Sequence, residues 1–597
     1  MNRVAGGIGR LLSLLASGVP IDELQENYTE LVVMGAKGSL DDIETLIHHD
    51  ISRINESSER NGVTSLMSSS SAGHIECVSL LLQRGASINQ TDNLGRSALF
   101  YTIFHNQIDI FSFLLQHGAN HEATDEQGKN ILHIAALYGR TEIVNAILNI
   151  SNQNSISNLV AQKDNNGCTS LHYAVIQKHE EITENILQLE GSSNDDFLNE
   201  KDNKGISAFL YACQQKDSEE WVEYLLDEGA DIMTLDHMGQ SALHYSVLVS
   251  NNDVIKTLLC FLIENDDLDC LHNLLNQRAV GGYTPLHYAC LTENTMLFQV
   301  LVSAYKKSLV GANQISLSNL VDNHQRNIFH MAAYMNNTEL CELIYKFFPS
   351  LCALSDNQNR NALFYAVKNV ETSSYQRRGS NQKEMPYSET CLPFLVENQA
   401  LDIFQLDTEG RNILHYACHF NNLQQIQYLL SIRKSETSGT FDVADKHGNT
   451  PLHVAAARGH SECVRLLILM GAFRINAEDE IKRTPLHIAT QNKNIQSVQV
   501  LVQLGASTDA RDIQQRTPLH YACILELQQS AISEHCVQLL LQDSTKSVVT
   551  AADVSGLSPL LMTCAMGNTR TLKEILHHLL RRVSVGIGSE ELTWPDS

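Results

Sequence analysis

Positive charge is scarce in this sequence: 42 Lys and Arg stand against 68 Asp and Glu, leaving a net charge of −26 over 597 residues. That sign disfavours a nucleic-acid partner, whose phosphates need cations. Long apolar runs are missing as well. Nothing approaches the roughly 18 to 20 consecutive apolar residues of a membrane helix, so no membrane span is expected. Fourteen cysteines occur, but none sits in a Cys-x-x-Cys pair or another ligand spacing. Neither a metal site nor a disulfide framework is expected, and the thiols read as small core residues of a reducing compartment. Gly6-Gly7-Ile8-Gly9 has no strand before it and no P-loop lysine, so it is no phosphate cradle. Kinase, protease and ligase signatures are absent. The expectation is a non-enzyme with no cofactor.

What the sequence does have is a phrase of Thr, Ser or Asn, any residue, an apolar residue and often His. It is clearest as Thr284-Pro285-Leu286-His287, Thr450-Pro451-Leu452-His453, Thr484-Pro485-Leu486-His487 and Thr517-Pro518-Leu519-His520. Weaker copies begin at Thr64, Ser97, Asn130, Thr169, Ser207, Ser241, Asn327, Asn361, Asn412 and Ser558. Uninterrupted starts lie 33 or 34 residues apart, as from 64 to 97 to 130 and from 450 to 484 to 517. Self-similarity at such a period signals a stack of identical units.

Each place in the phrase has a physical reason. Thr or Ser caps a helix N-terminus by accepting a backbone N–H. Proline suits the first helical position, where its missing N–H costs nothing; Pro285, Pro451, Pro485, Pro518 and Pro559 stand there. An Asp five residues before most caps, such as Asp92, Asp202 or Asp445, is followed by Gly, which is turn chemistry. Nine residues after the cap stand Gly73, Asn106, Gly139, Asn336, Asn421, Gly459 and Gly567. These types accept the left-handed conformation that ends a helix. A second apolar run follows, so the unit is turn, short helix, turn, longer helix, loop. Nine of the 25 histidines recur once per unit, which spaces them too widely to converge on one metal ion.

This wording, length and order resemble the ankyrin repeat. The resemblance covers residues 27–583, about 15 repeats, and implies an all-α solenoid with a concave groove and projecting β-hairpin loops. Residues 1–26 read as an N-terminal capping segment and 584–597 as a C-terminal tail. An inserted polar loop is expected near 371–389, and an extra helix within 258–279, centred on 267–275.

Departures from the repeat mark candidate sites. Residues 180–270 hold 21 acidic residues against four lysines, and Glu219, Glu220 and Glu223 are the candidates for docking a basic partner. Tyrosine recurs four residues after the cap, and Tyr173, Tyr211, Tyr245 and Tyr288 occupy consecutive repeats beside the acidic block. In this family the first helices line the groove, where a tyrosine offers contact area and a polar tip. Ser380 and Ser584, each two residues after an Arg-Arg pair, are candidate phosphorylation sites. The expected function is a cytoplasmic or nuclear scaffold that binds a protein partner through groove and loop tips. Long arrays of this kind also resemble regulatory subunits of serine/threonine phosphatases, or the ankyrin part of a larger channel, kinase or ubiquitin-ligase receptor.

Overall fold

The computed structural model describes residues 8–16, 28–150, 153–188, 197–292, 294–308, 320–368, 390–397, 401–432, 440–470, 473–524, 530–542 and 546–586. They divide into two units, Met1–Tyr288 with Gln299–Gln314, and Ala289–Phe298 with Ile315–Ser597. Both are built of helix pairs, and the fold class is all-α.

In the first unit the pairs include Ser65–Ala72 with Ile75–Gln83, Ile131–Tyr138 with Thr141–Leu148, Ser170–Gln177 with Glu180–Leu187, and Ala208–Cys213 with Glu219–Asp227. First helices pack on first helices of the next repeat, and second on second. Leu132, Leu171, Ala135 and Ala174 are buried in these contacts. Helices of six to nine residues are marginal alone, so this stacking is their stability. Helix Ile8–Ala16 packs against Glu30–Lys37 and Ser65–Ala72, with Leu11 fully buried. The extra helix expected within 258–279 runs Leu268–Asn276, capped by Asp267. One element was not expected: the link after residue 150 contains helix Gln153–Ala161.

The second unit repeats the scheme with Ile328–Tyr334, Ile413–His419, Pro451–Arg458, Pro485–Gln491 and Pro559–Met566 among its first helices. The segment expected as an inserted loop, 371–389, lies outside the described residues; helices Ala362–Ala366 and Cys391–Glu397 flank it.

Some Asn and Ser caps accept a backbone amide, whereas the Thr169, Thr450 and Thr484 hydroxyls make no such bond and lie 2.8, 2.9 and 2.9 Å from Nδ1 of the His three residues on. The Asn130 Oδ1 accepts the His133 N–H at 2.9 Å, and the Ser207 Oγ accepts the Leu210 N–H at 3.3 Å. The seven Gly and Asn positions nine residues after the cap all have positive φ, from 56° at Asn336 to 89° at Gly73. The histidines join the same network. Nδ1 of His172 accepts the Thr169 N–H at 3.1 Å, while Nε2 lies 3.1 Å from the Ile206 carbonyl, just before the next cap. A carbonyl only accepts, so Nε2 carries the proton and the ring is neutral. His453 to Arg483 (3.1 Å) and His487 to Arg516 (3.0 Å) repeat this in the second unit. Burial pushes His133, His244, His330, His415 and His487 down to about 4.

The hairpins are smaller than expected. Among the described residues they reduce to isolated bridges such as Thr91 with Ser97 and Lys201 with Ser207. Where the turn Asp is present it holds the finger instead: Oδ1 of Asp202 accepts the N–H groups of Lys204 and Ile206, both at 2.8 Å. One backbone bond then ties each tip to the next, as from His237 N–H to the Lys204 carbonyl at 2.9 Å.

Candidate interaction surface

The tyrosine series has a structural partner that its spacing does not announce. Each phenol donates to the turn Asp nine residues earlier: Tyr173 to Asp164 at 2.6 Å, Tyr211 to Asp202 at 2.8 Å and Tyr245 to Asp236 at 2.7 Å. Tyr101, Tyr365, Tyr416 and Tyr521 do the same with Asp92, Asp356, Asp407 and Asp512. One carboxylate oxygen therefore holds the turn and the other holds the first helix. Tyr288 is the exception, because Ala279 stands where the Asp would be; its hydroxyl accepts from the Gln240 amide at 2.9 Å. Burial and the Asp202 carboxylate push the Tyr211 phenol up, so it remains a donor at neutral pH.

The carboxylates register what surrounds them. Burial pushes Asp356 up, but Tyr365 and Arg360 outweigh it, and the group lies below its usual range. At Asp125 the residue nine places on is Ile134, and burial holds the carboxyl above its usual range. Asp322 and Asp356 play the same turn role as the aspartates recognised from sequence.

With their hydroxyls bound, Tyr173, Tyr211 and Tyr288 are half-buried, and Tyr245 is buried. The rings of Tyr173, Tyr211 and Tyr288 also pack edge-on against His133, His172 and His244 of the preceding repeat, with centroids 6.0, 6.0 and 5.2 Å apart. Such contacts favour this geometry because a positive ring edge meets a negative face.

Glu219, Glu220 and Glu223 are not beside these tyrosines. They lie on the second helix, Glu219–Asp227, whose other side buries Val222, Leu225 and Leu226. Glu220 and Glu223 are exposed, and none of the three forms an ion pair among the described residues. The two candidate sets therefore occupy different helix rows of one unit. Ser380 lies outside the described residues; Ser584 falls within helix Thr569–Gly586. Among the described residues no cluster could hold a metal ion, and no helix is long and apolar enough to cross a membrane.

Known proteins share this pattern. The family model "Ankyrin repeats (3 copies)" matches residues 31–125, 117–196, 186–267, 259–348, 385–479 and 469–531. The B-cell lymphoma 3 protein homolog of Mus musculus is 35% identical over 242 residues, 40% of this chain and 45% of that protein. The nuclear factor NF-kappa-B p105 subunit of Gallus gallus is 26% identical over 239 residues, 40% of this chain and 21% of that protein. The chain thus spans less than half the length of either relative. The crystal structure of the ankyrin repeat domain of Bcl-3 aligns with 42% of this chain and 97% of its own, at 23% identity and a TM-score of 0.33. Repeats of this kind are typically non-catalytic modules for protein–protein interaction. The helix pairs, capped phrases and six matched segments agree: the chain belongs to the ankyrin-repeat family.

Proposed function

We propose that the chain is a non-enzymatic scaffold that holds a protein partner carrying a basic surface, through the repeats that bear Tyr173, Tyr211, Tyr245 and Tyr288. The observation that carries this is the uncompensated charge of helix Glu219–Asp227, whose exposed Glu220 and Glu223 form no ion pair among the described residues. Like charges so dense repel one another and destabilise the repeat, a cost that a basic partner would offset. The half-buried tyrosine rings lie on the other helix row of the same repeats, so a partner that uses them as well must span both rows. The fourteen unpaired cysteines support a reducing compartment, the cytoplasm or the nucleus.

The test is a quantitative capture from cell extract with the wild type and with Glu219→Gln/Glu220→Gln/Glu223→Gln, at low and at high salt. Neutralisation should remove a set of basic proteins and flatten the salt dependence of their recovery. An identical protein set with identical salt dependence would refute the reading.

A further inference from the structure

The repeats that begin at Thr450 and Thr484 carry Val454 and Ile488 where eight others carry the tyrosine. Their turn aspartates are still in place, nine residues earlier, at Asp445 and Asp479. Removing a phenol from two neighbouring repeats leaves a gap on the first-helix row. A cavity of about 370 Å³ lies there, lined among others by Val454, Ala457, Arg458, Ile488, Gln491 and Asn492.

Its chemistry is divided. Val454, Ala457 and Ile488 make an apolar floor, with Ile488 buried and the other two partly exposed. Arg458 is exposed at the end of its helix and forms neither an ion pair nor a hydrogen bond among the described residues. The second guanidinium is already balanced, since Arg483 Nε donates to Asp479 Oδ2 at 2.9 Å. Its Nη1 donates to Gln491 Oε1 at 2.9 Å, which leaves the Gln491 amide as a donor. Asp445 is likewise engaged by the turn amides of His447 and Asn449. At the rim, burial and then the nearby Arg458, His460 and Arg411 lower the proton affinity of His419, so that ring is neutral near pH 7. Among the lining residues the uncompensated charge is therefore the Arg458 cation, while Asp445, whose amide partners leave its negative charge intact, is not a lining residue and is bonded through Asn449.

We propose that this cavity binds a glutamate side chain of an extended acidic segment in a partner protein. Two methylenes would lie on the Val454, Ala457 and Ile488 floor, and the carboxylate would meet the Arg458 guanidinium in the paired geometry that arginine favours. The Gln491 amide, in the same lining, would add a donor. A small inorganic anion could reach the arginine but would leave the apolar floor wet. This site is separate from the proposed surface around Glu219, takes the opposite charge, and stands or falls independently of it.

The test uses the full chain and a fluorescein-labelled peptide of alternating Glu and Ala, with Gln and Lys versions as controls. Free glutamate and inorganic phosphate serve as competitors. The Glu peptide should bind saturably, and Arg458→Gln should weaken it on the order of tenfold. Val454→Tyr should abolish binding by filling the cavity, while the melting temperature holds, because the new hydroxyl stands nine residues from Asp445. Circular dichroism checks that both variants fold, and Arg458→Gln, which alters an exposed side chain, decides the matter if Val454→Tyr does not. The proposal is overturned by no binding, by equal binding to the wild type and Arg458→Gln, by a Gln peptide that binds as well, or by phosphate competing as strongly as the Glu peptide.

Discussion

The repeats beginning at Thr169, Ser207 and Ser241 and those beginning at Thr450 and Thr484 share one frame and differ at one place in it. In the first set a tyrosine ties the first helix to the turn Asp. In the second set Val454 and Ile488 cannot, and a cavity opens. Charge differs in parallel: residues 180–270 hold 21 acidic residues and four basic ones, whereas residues 440–520 hold eight acidic and nine basic. A position that completes the scaffold in one region is given up for a pocket in the other. The frame tolerates this because the turn Asp keeps its backbone partners either way. Oδ1 of Asp202 and Oδ1 of Asp445 each accept two amides.

Acid should strike both regions together and hardest. His244 in the one and His487 in the other have folded values near 4, against 6.5 in the unfolded chain. Between those values the unfolded state binds more protons, so stability is intact above about pH 6.5 and falls as pH drops toward 4. The loss is on the order of 3 kcal/mol per ring at most. Hydrogen exchange followed from pH 7 to about pH 4 should show both regions opening in that window. If one region keeps its protection, the frame is not shared.

Removing the turn carboxylate comes next. Asp202→Ala strands two amides and a phenol, and should cost about 3 kcal/mol locally, whereas Asp445→Ala should cost about 2, because no phenol depends on it. Amide exchange within each repeat measures the difference, and equal losses would mean that the tyrosine bond adds nothing. A smaller effect isolates that bond. Tyr211→Phe should cost about 1 kcal/mol, and Tyr288→Phe less, since its partner is the neutral Gln240 amide. Both can be read by urea titration of tyrosine fluorescence. The smallest effect concerns Lys493, held at φ 65°. Lys493→Gly should stabilise by up to about 1 kcal/mol. Lys178→Gly, at φ 60°, should gain less, because Lys178 Nζ also donates to the Lys216 and Asp217 carbonyls. Thermal melts compare the two.

Much of this frame was legible in the sequence, because capping and left-handed turns are local chemistry. Thr169 and Asn130 reveal a helix start within four residues, and Gly73 and Asn421 reveal an end. The tyrosine bond was not legible, although its signal was present. Asp and Tyr recur nine residues apart, but the pair spans a turn and a helix start, so neither a helical nor a strand period connects them. The exception at Ala279 and Tyr288 would have been the clue. Helix Gln153–Ala161 was missed because its polar sequence has weak helical character of its own. It is ordered by burying Leu159 and Val160 against the repeat that begins at Asn130. The pocket was hidden for a related reason: Val454 and Ile488 read as ordinary apolar substitutes until the missing phenol is given a volume.

The histidine bridge has a consequence for how such a chain can change over generations. The rings of His133, His172, His415 and His487 grip the carbonyl just ahead of the following cap, and they do so whether that residue is Cys168, Ile206, Asn449 or Arg516. A carbonyl is the same in every residue, so the coupling between neighbours carries no identity. A whole unit can be duplicated, lost or exchanged at a phrase that carries the His with that joint intact, and the Asp and Tyr nine residues apart travel together if the cut falls ahead of the turn. Specificity can then be gained one repeat at a time, by altering the fourth residue after a cap, with the histidine joint left in place and only the ring contact to the preceding repeat changed.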